Sequence, residues 1–121
     1  MDKDNIMFDP NKHSNDTCKA FKAFCTRFEL RYHAQYPDPP PSAMESSVQR
    51  WKIVNPGANI TLDQYDHLKA QWKSQDMVRK VLGMFSSERL FSDWEIAEPD
   101  QTVRSNATWE AFKTSMETFY A

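Results

Sequence analysis

The side chains in this sequence that are best able to do chemistry are three histidines and two cysteines. His13, His33 and His67 fall in different predicted elements, and no pair has metal-site spacing such as His-Glu-x-x-His or Cys-x-x-Cys. His33 and Cys25 are eight positions apart on one predicted helix, which is too far for a base to activate a thiol. The sequence therefore predicts no catalytic residue and no metal-binding residue.

The glycines and carboxylates also give no sign of a reaction site. The chain contains two glycines, too few for a glycine-rich phosphate-binding loop. Its carboxylates are scattered at predicted caps and loops, and no pair framed by apolar residues indicates acid–base catalysis. We therefore expect a protein that is not an enzyme and that binds no cofactor.

Cysteine usage and hydropathy together predict an intracellular, cytoplasmic protein. Cys18 and Cys25 lie ~10 Å apart along a helix axis, too far for a disulfide within one helix. Two buried thiols fit a reducing compartment. The sequence has no apolar run long enough to span a membrane, and no apolar segment follows the polar N-terminus as in a signal peptide.

Three Asn-x-Thr sequences, at 15–17, 59–61 and 106–108, match the acceptor pattern for glycosylation. Each lies at a predicted helix start, where Asn and Thr are favoured capping residues. Thr61 and Gln64 also fit a capping box. Helix capping is therefore the preferred interpretation of all three.

The elements that position these side chains are predicted to be helices. A chain of 121 residues with 40% hydrophobic and 13% aromatic residues can bury a core without disulfides or metal. The scarcity of glycine and of alternating apolar runs argues against a β fold. We expect an all-α fold, a compact bundle of five to six short helices at 15–121, preceded by an N-terminal arm at 1–14.

Apolar residues that recur every three and four positions define the individual helices. A proline-rich segment at 37–41 ends the first of them. The predicted helices span 16–36 and 42–53, with a third beginning near Thr61, a fourth at Asp76, a fifth from Ser86 or Ser87 to Ala97, and a sixth near Asn106. Longer loops are expected at 37–42 and 98–106.

The apolar stripes of these helices predict the core. An aromatic stripe at helical spacing is more typical of core packing than of a ligand pocket. The stripe of the third helix also includes Leu62. The predicted core residues are Phe21, Phe24, Phe28, Trp51, Trp72, Val81, Leu82, Trp94, Trp109 and Phe112.

Apolar residues that lie off the stripes indicate where a partner binds. Leu30 and Ile96 are such positions. Leu30 lies among the cations of a basic edge on the first helix. The candidate assembly contacts are Lys19, Arg27, Leu30 and Arg31.

The charge balance argues against nucleic-acid binding by this chain. The net charge is −2 and the pI is about 5.9, so there is no basic excess to neutralise phosphates. Acids are concentrated at 93–100, which we interpret as a solvated loop.

The last third of the chain has a distinctive order of motifs. A helix carries Lys80-Val81 and Leu82, and a short helix then carries Leu90 and Trp94. A loop separates these from a helix that opens with Trp109 and Phe112 and ends with Phe119-Tyr120. Over residues 76–120 this order resembles the capsid region of Gag polyproteins from gypsy (Ty3)-type long-terminal-repeat retrotransposons. The first 70 residues resemble it only in helix count and in an early aromatic helix.

The resemblance implies a fold like the retroviral capsid N-terminal domain and a structural function. Such domains form pentameric and hexameric rings, and many weak symmetric contacts build the shell of a virus-like particle. By this analogy the ring contacts would lie on the first three helices. The matched positions are apolar, so they imply a fold and transfer no catalytic site.

The resemblance also implies which partners the chain has. The sequence contains neither a zinc knuckle nor a second helical domain after Tyr120. We therefore expect an N-terminal capsid domain, a fragment of a longer chain. Its partners would be other copies of itself and a downstream capsid C-terminal domain, with RNA bound only by regions absent from this chain.

Three other functions remain open from the sequence. The main one is a cellular helical adaptor, whether or not descended from a Gag protein, whose groove would bind a partner helix. A small helical enzyme is less favoured because no reactive residues stand at useful spacing. A viral nucleoprotein is less favoured because it normally has a basic groove.

Overall fold

The computed structural model describes residues 8–12 and 16–121, and the fold in these residues is helical. The all-α prediction is confirmed, with six helices in this part of the chain. A 3-10 turn at Pro10–Lys12 precedes them. The helices are α1 (Thr17–Gln35), α2 (Pro41–Val54), α3 (Leu62–Met84), α4 (Glu88–Ala97), α5 (Gln101–Ser105) and α6 (Trp109–Tyr120).

The local signals for helix ends act as the sequence suggests. Thr61 and Gln64 form the predicted capping box, each side chain bonding the other residue's backbone N–H. Thr108 caps α6 by accepting a hydrogen bond from the Ala111 N–H. α2 begins at Pro41, one residue before the predicted start, because proline is well tolerated at the first helical position.

The predicted third and fourth helices are in fact one helix of 23 residues, α3. The prediction placed the start of a new helix at Asp76. The structure instead buries Asp76 in the middle of α3, where its carboxylate accepts a hydrogen bond from Tyr32 Oη at 2.9 Å. Asp76 therefore has a tertiary partner in mid-helix, and no proline or interior glycine interrupts the helix near this point.

The predicted loop at 98–106 contains a further short helix, α5. Asp100 caps it by accepting hydrogen bonds from the N–H groups of Thr102 and Val103. The loop prediction missed this helix because its five residues are too few to show an apolar period.

The core lies between α1, the second half of α3, α4 and α6. Its aromatic rings contact one another at centroid distances of 5.0–6.1 Å, and Trp94 meets Phe112 edge-on at 5.0 Å. Of the predicted core residues, the structure buries Phe21, Phe24, Phe28, Val81, Trp94, Trp109 and Phe112. Leu82 is partly buried and packs against this cluster.

Phe8, which the prediction assigned to the N-terminal arm, lies in the core with 2% of its surface exposed. Its ring contacts Phe21 and Phe24 at 5.5 and 5.4 Å. Its backbone donates to Phe85 O and accepts from the Ser87 N–H, both at 3.0 Å. This segment therefore closes the end of the bundle where α3 turns into α4. The rest of the predicted arm, 1–7 and 13–14, lies outside the described residues.

α2 is set apart from the core, because it packs chiefly against the first half of α3. Only Met44 and Ser47 of α2 are buried, and no residue of α3 before Asp76 is. The prediction that Trp51 and Trp72 belong to the core is therefore corrected, since both indoles are half-buried in an open cleft between α2 and α3. We call α2, the turn after it and the first half of α3 the hairpin.

Candidate interaction surfaces

A polar cluster joins α1 to α6. Glu29 Oε2 accepts hydrogen bonds from Trp109 Nε1 at 2.6 Å and from Lys113 Nζ at 2.7 Å. It lies beside a hollow of about 390 Å³ that His33 and Lys73 also line. Burial opposes ionisation of Glu29, but the bonds from Lys113 and Trp109 outweigh it and lower the pKa of the carboxyl. A carboxylate held ionised by a cation is a poor general base at neutral pH. We therefore interpret this cluster as a structural link between α1 and α6, which we call the brace.

This brace predicts a specific acid sensitivity. A lowered folded pKa contributes stability above the ordinary glutamate pKa of ~4.3, and that contribution is lost as the pH falls through the folded value. We expect Glu29→Gln to be less stable than the wild type at pH 7 and to match it more closely at pH 3. Urea unfolding of both proteins at the two pH values measures this. An equal difference at both would show that ionised Glu29 does not stabilise the fold.

The turn of the hairpin carries the most exposed aliphatic side chains of the described chain. Ile53, Val54 and Leu62 are exposed by 79%, 78% and 75%. They lie within residues 53–62, which we call the hairpin tip and which contain no charged residue, although 26% of the whole chain is charged. Leu62 is thus outside the packed stripe to which the sequence assigned it. The absence of charged residues from 53–62 is the feature of the sequence that could have indicated this exposed apolar patch.

A cleft of about 450 Å³ runs between the two helices of the hairpin. Trp51 and Trp72 line it, together with Leu68 and Arg50. Trp72 also lies under the guanidinium of Arg79, 5.5 Å from the ring centroid. The linker between α1 and α2 is held on α3, because Lys73 donates to Pro37 O at 2.7 Å and Lys69 pairs with Asp38 at 2.9 Å. These contacts fix the base of the hairpin.

The outward face of α1 carries the predicted assembly contacts. Lys19, Arg27 and Leu30 are exposed, Leu30 by 72%, and Arg31 is half-buried at the edge. Lys22, which the sequence analysis did not single out, is exposed on the same face. None of these four cations forms an ion pair within the described part of the chain. We call Lys19, Lys22, Arg27, Leu30 and Arg31 the basic face.

The outward face of α4 has the opposite charge. Glu88 and Glu95 are exposed there and have no cationic partner among the described residues. Phe91 and Ile96 flank them with 45% and 66% of their surfaces exposed. Ile96 is exposed as the sequence predicted, and it borders an open groove between α4 and α6 that Phe119 also lines. We call Glu88, Phe91, Glu95 and Ile96 the acidic face.

Among the described residues, the cysteines and histidines do not form a reactive pair. Cys25 is buried, and that burial raises the pKa of its thiol, so it stays protonated. Cys18 Sγ donates to Glu117 O at 3.5 Å, and both thiols are free. His33 and His67 are exposed on different helices, and His13 lies outside the described residues.

Over residues 8–12 and 16–121, no group of three or more His, Cys, Asp or Glu side chains is placed to hold a metal ion. Among the helices described, none combines the length and apolar character needed to cross a bilayer. The described features that could bind a partner are thus surfaces: the hairpin tip, the cleft, the basic face and the acidic face.

Comparison with protein-family models, curated proteins and solved structures found no match. Function has to be argued from these surfaces.

Proposed function

We propose that this chain is a structural domain that assembles with copies of itself, in the manner of the Gag capsid domains that its sequence motifs resemble. The observation that carries the proposal is the hairpin tip. Three aliphatic side chains, each at least 75% exposed, stand at the end of a helical hairpin that is set apart from the core. Exposed apolar residues grouped in this way mark association surfaces.

The lack of charge at the hairpin tip favours a second copy as its partner. In a two-fold contact each surface patch meets the same patch of the other subunit. A charged patch would therefore meet its own charge, whereas residues 53–62 carry none. An uncharged aliphatic patch is self-complementary and tolerates this arrangement.

The size of the patch predicts a weak contact. A stable interface buries ~800 Å² on each partner, and three aliphatic side chains supply well under that area. Weak individual contacts are what a shell needs, since many of them act together through multivalency. On this proposal the isolated domain is monomeric at low concentration and associates as the concentration rises.

A matched pair of substitutions tests the role of the hairpin tip. Val54→Lys places two like charges near the two-fold axis, so we expect it to weaken self-association at least tenfold. Val103→Lys makes the same change at a residue of α5 that is 48% exposed and lies outside the hairpin tip, and should leave association unchanged. Sedimentation velocity over a concentration series measures both, and the melting temperatures check that both variants are folded.

The wild-type series decides the proposed function itself. Concentration-dependent association that Val54→Lys weakens and Val103→Lys does not would support it. A wild type that remains monomeric at millimolar concentration, with no rings or shells visible by electron microscopy, would overturn it. Association unaffected by Val54→Lys would move the contact away from the hairpin tip.

The cleft of the hairpin favours a second candidate function, that of a helical adaptor. Trp51 and Trp72 present half-buried indoles along a cleft of about 450 Å³. Indole side chains are common binding anchors, and an amphipathic helix laid in a groove is a recurrent recognition mode. A wild type that stays monomeric under all conditions would favour this function over assembly.

A further inference from the structure

Two faces of the described structure are opposite in charge, and both carry exposed apolar side chains. The basic face of α1 carries four cations and the exposed Leu30. The acidic face of α4 carries two glutamates with the exposed Phe91 and Ile96. Neither face satisfies its charges within the described part of its own chain. Each combines unpaired charge with exposed apolar side chains, and the two charges are complementary, as they are across specific protein interfaces.

We propose that the basic face of α1 in one copy binds the acidic face of α4 in the next copy. This inference rests on the proposed function, because it names a second contact of the same assembly. The two faces belong to different helices, so the contact joins unlike surfaces, head to tail. Such a contact produces a ring when the rotation closes and a filament when it does not.

The spacing of the charges permits this contact. Glu88 and Glu95 are seven positions apart, ~10 Å along the axis of α4. Lys22 and Arg27 flank the outward face of α1 about 7.5 Å apart along its axis. The two cations are also ~140° apart around the helix, so their long, flexible side chains would approach the glutamates from either side. Leu30 lies three positions beyond Arg27 and would meet Phe91 or Ile96, which flank the glutamates.

This second contact completes what a closed shell requires. The hairpin tip alone, joined to itself by a two-fold axis, produces dimers and nothing larger. The pairing of the basic and acidic faces alone produces a ring or a filament. Together the two contacts link rings to one another, so the domain holds both kinds of connection on separate surfaces.

A nucleic acid is the competing occupant of the basic face. The cations of α1 would attract phosphates, but the chain as a whole has a net charge of −2. The acidic face of the same molecule has charge of the opposite sign together with exposed apolar side chains, and a phosphate backbone would not use apolar side chains. The structure therefore favours a second copy over a nucleic acid.

Charge reversal and mixing test the proposal. One double variant, Lys22→Glu/Arg27→Glu, makes the basic face acidic, and another, Glu88→Lys/Glu95→Lys, makes the acidic face basic. We expect each alone to lose about tenfold in self-association affinity, since like charges then oppose each other. An equimolar mixture should recover association, because each altered face then has a complementary partner. Sedimentation velocity at equal total concentration measures all three samples.

A second mixture separates specific pairing from general attraction between oppositely charged chains. Glu45→Lys/Asp66→Lys changes the net charge by the same amount as Glu88→Lys/Glu95→Lys, but at exposed residues of the hairpin. Mixed with Lys22→Glu/Arg27→Glu, it should not restore association. Equal recovery in both mixtures would overturn the proposal.

The possible failures are distinguishable. A wild type that never associates refutes the proposed function. A wild type that associates, while both charge-reversed variants associate equally well, refutes only the pairing of the basic and acidic faces. Fluorescence anisotropy with a labelled single-stranded RNA tests the competing occupant. Micromolar RNA binding that Lys22→Glu/Arg27→Glu abolishes, with self-association unchanged, would assign the basic face to nucleic acid instead.

Discussion

Replacement of Trp109 by alanine is expected to lower the free energy of unfolding by ~3–5 kcal/mol, the usual cost of removing a large buried aromatic side chain. The indole is 2% exposed and contacts the rings of Phe28 and Phe112 at 5.1 and 5.6 Å. It joins α6 to α1 through these contacts, so the cavity would open at the centre of the bundle.

Part of this loss of stability comes from a hydrogen bond that alanine cannot make. Trp109 Nε1 donates to Glu29 at 2.6 Å, and alanine would leave that carboxylate with Lys113 as its remaining partner. Trp109→Phe separates the two effects, because it keeps an aromatic ring and removes the donor. A hydrogen bond to a charged group contributes ~1.5–3 kcal/mol, so we expect the phenylalanine variant to lie between the wild type and Trp109→Ala.

Trp72→Ala is the control for this prediction. Its indole is half-buried in the cleft of the hairpin, outside the core. We expect a loss of about 1 kcal/mol, in the range of substitutions that leave the core intact. Chemical denaturation of the three variants gives the comparison. A Trp109→Ala protein no less stable than Trp72→Ala would contradict the packing of α6 against α1.

The second large effect is expected at Asp76, whose carboxylate lies at the point where α3 enters the core. Asp76 is 4% exposed and Tyr32 is 1% exposed, and the two side chains share a hydrogen bond of 2.9 Å. Lys80 Nζ lies 3.3 Å from the same carboxylate. Burial and the bond to Asp76 raise the pKa of Tyr32, so its hydroxyl remains a donor over the whole physiological range.

Asp76→Ala would leave the Tyr32 hydroxyl buried without its acceptor, at a cost of ~1–3 kcal/mol in unfolding free energy. Tyr32→Phe would in turn leave the buried carboxylate with its cationic neighbours alone, at a similar cost. The double variant should lose less than the sum of the two, because each single variant strands the other partner. We expect a coupling of about 1–2 kcal/mol from the double-mutant cycle.

Urea unfolding of the four proteins at pH 7 measures the coupling. Tyr36→Phe is a suitable control, since Tyr36 is a half-buried tyrosine at the end of the same helix that makes no hydrogen bond to Asp76. Additive losses, within about 0.5 kcal/mol, would show that Tyr32 and Asp76 are not coupled. In that case another contact would have to fix α3 against α1 at this point.

The sequence predicted best where the physical cause is local. The aromatic stripe of α1 recurs at helical spacing, so Phe21, Phe24 and Phe28 face the same direction whatever the rest of the chain does. The capping box of Thr61 and Gln64 spans four consecutive residues and forms as predicted. These features need only neighbours in sequence, which a single chain displays directly.

Predictions that depended on distant partners were less successful. Asp76 was assigned to a helix start because its partner Tyr32, 44 positions away, is invisible to a local pattern. Phe8 was assigned to an arm, although it is fixed by backbone bonds to Phe85 and Ser87. An apolar period also predicts which face of a helix packs without predicting what covers it, which explains the error at Trp51 and Trp72.

The sequence by itself determined that this chain is helical, where several of its helices begin, and which stripes are apolar, because propensity, capping and periodicity act within one helical turn. It also displayed the motifs that resemble a Gag capsid and the lack of charge at residues 53–62. Only the tertiary structure decided which apolar side chains remain exposed at the hairpin tip and which charges on α1 and α4 have no partner. Burial and ion pairing depend on how helices pack, and packing joins residues that the sequence keeps far apart.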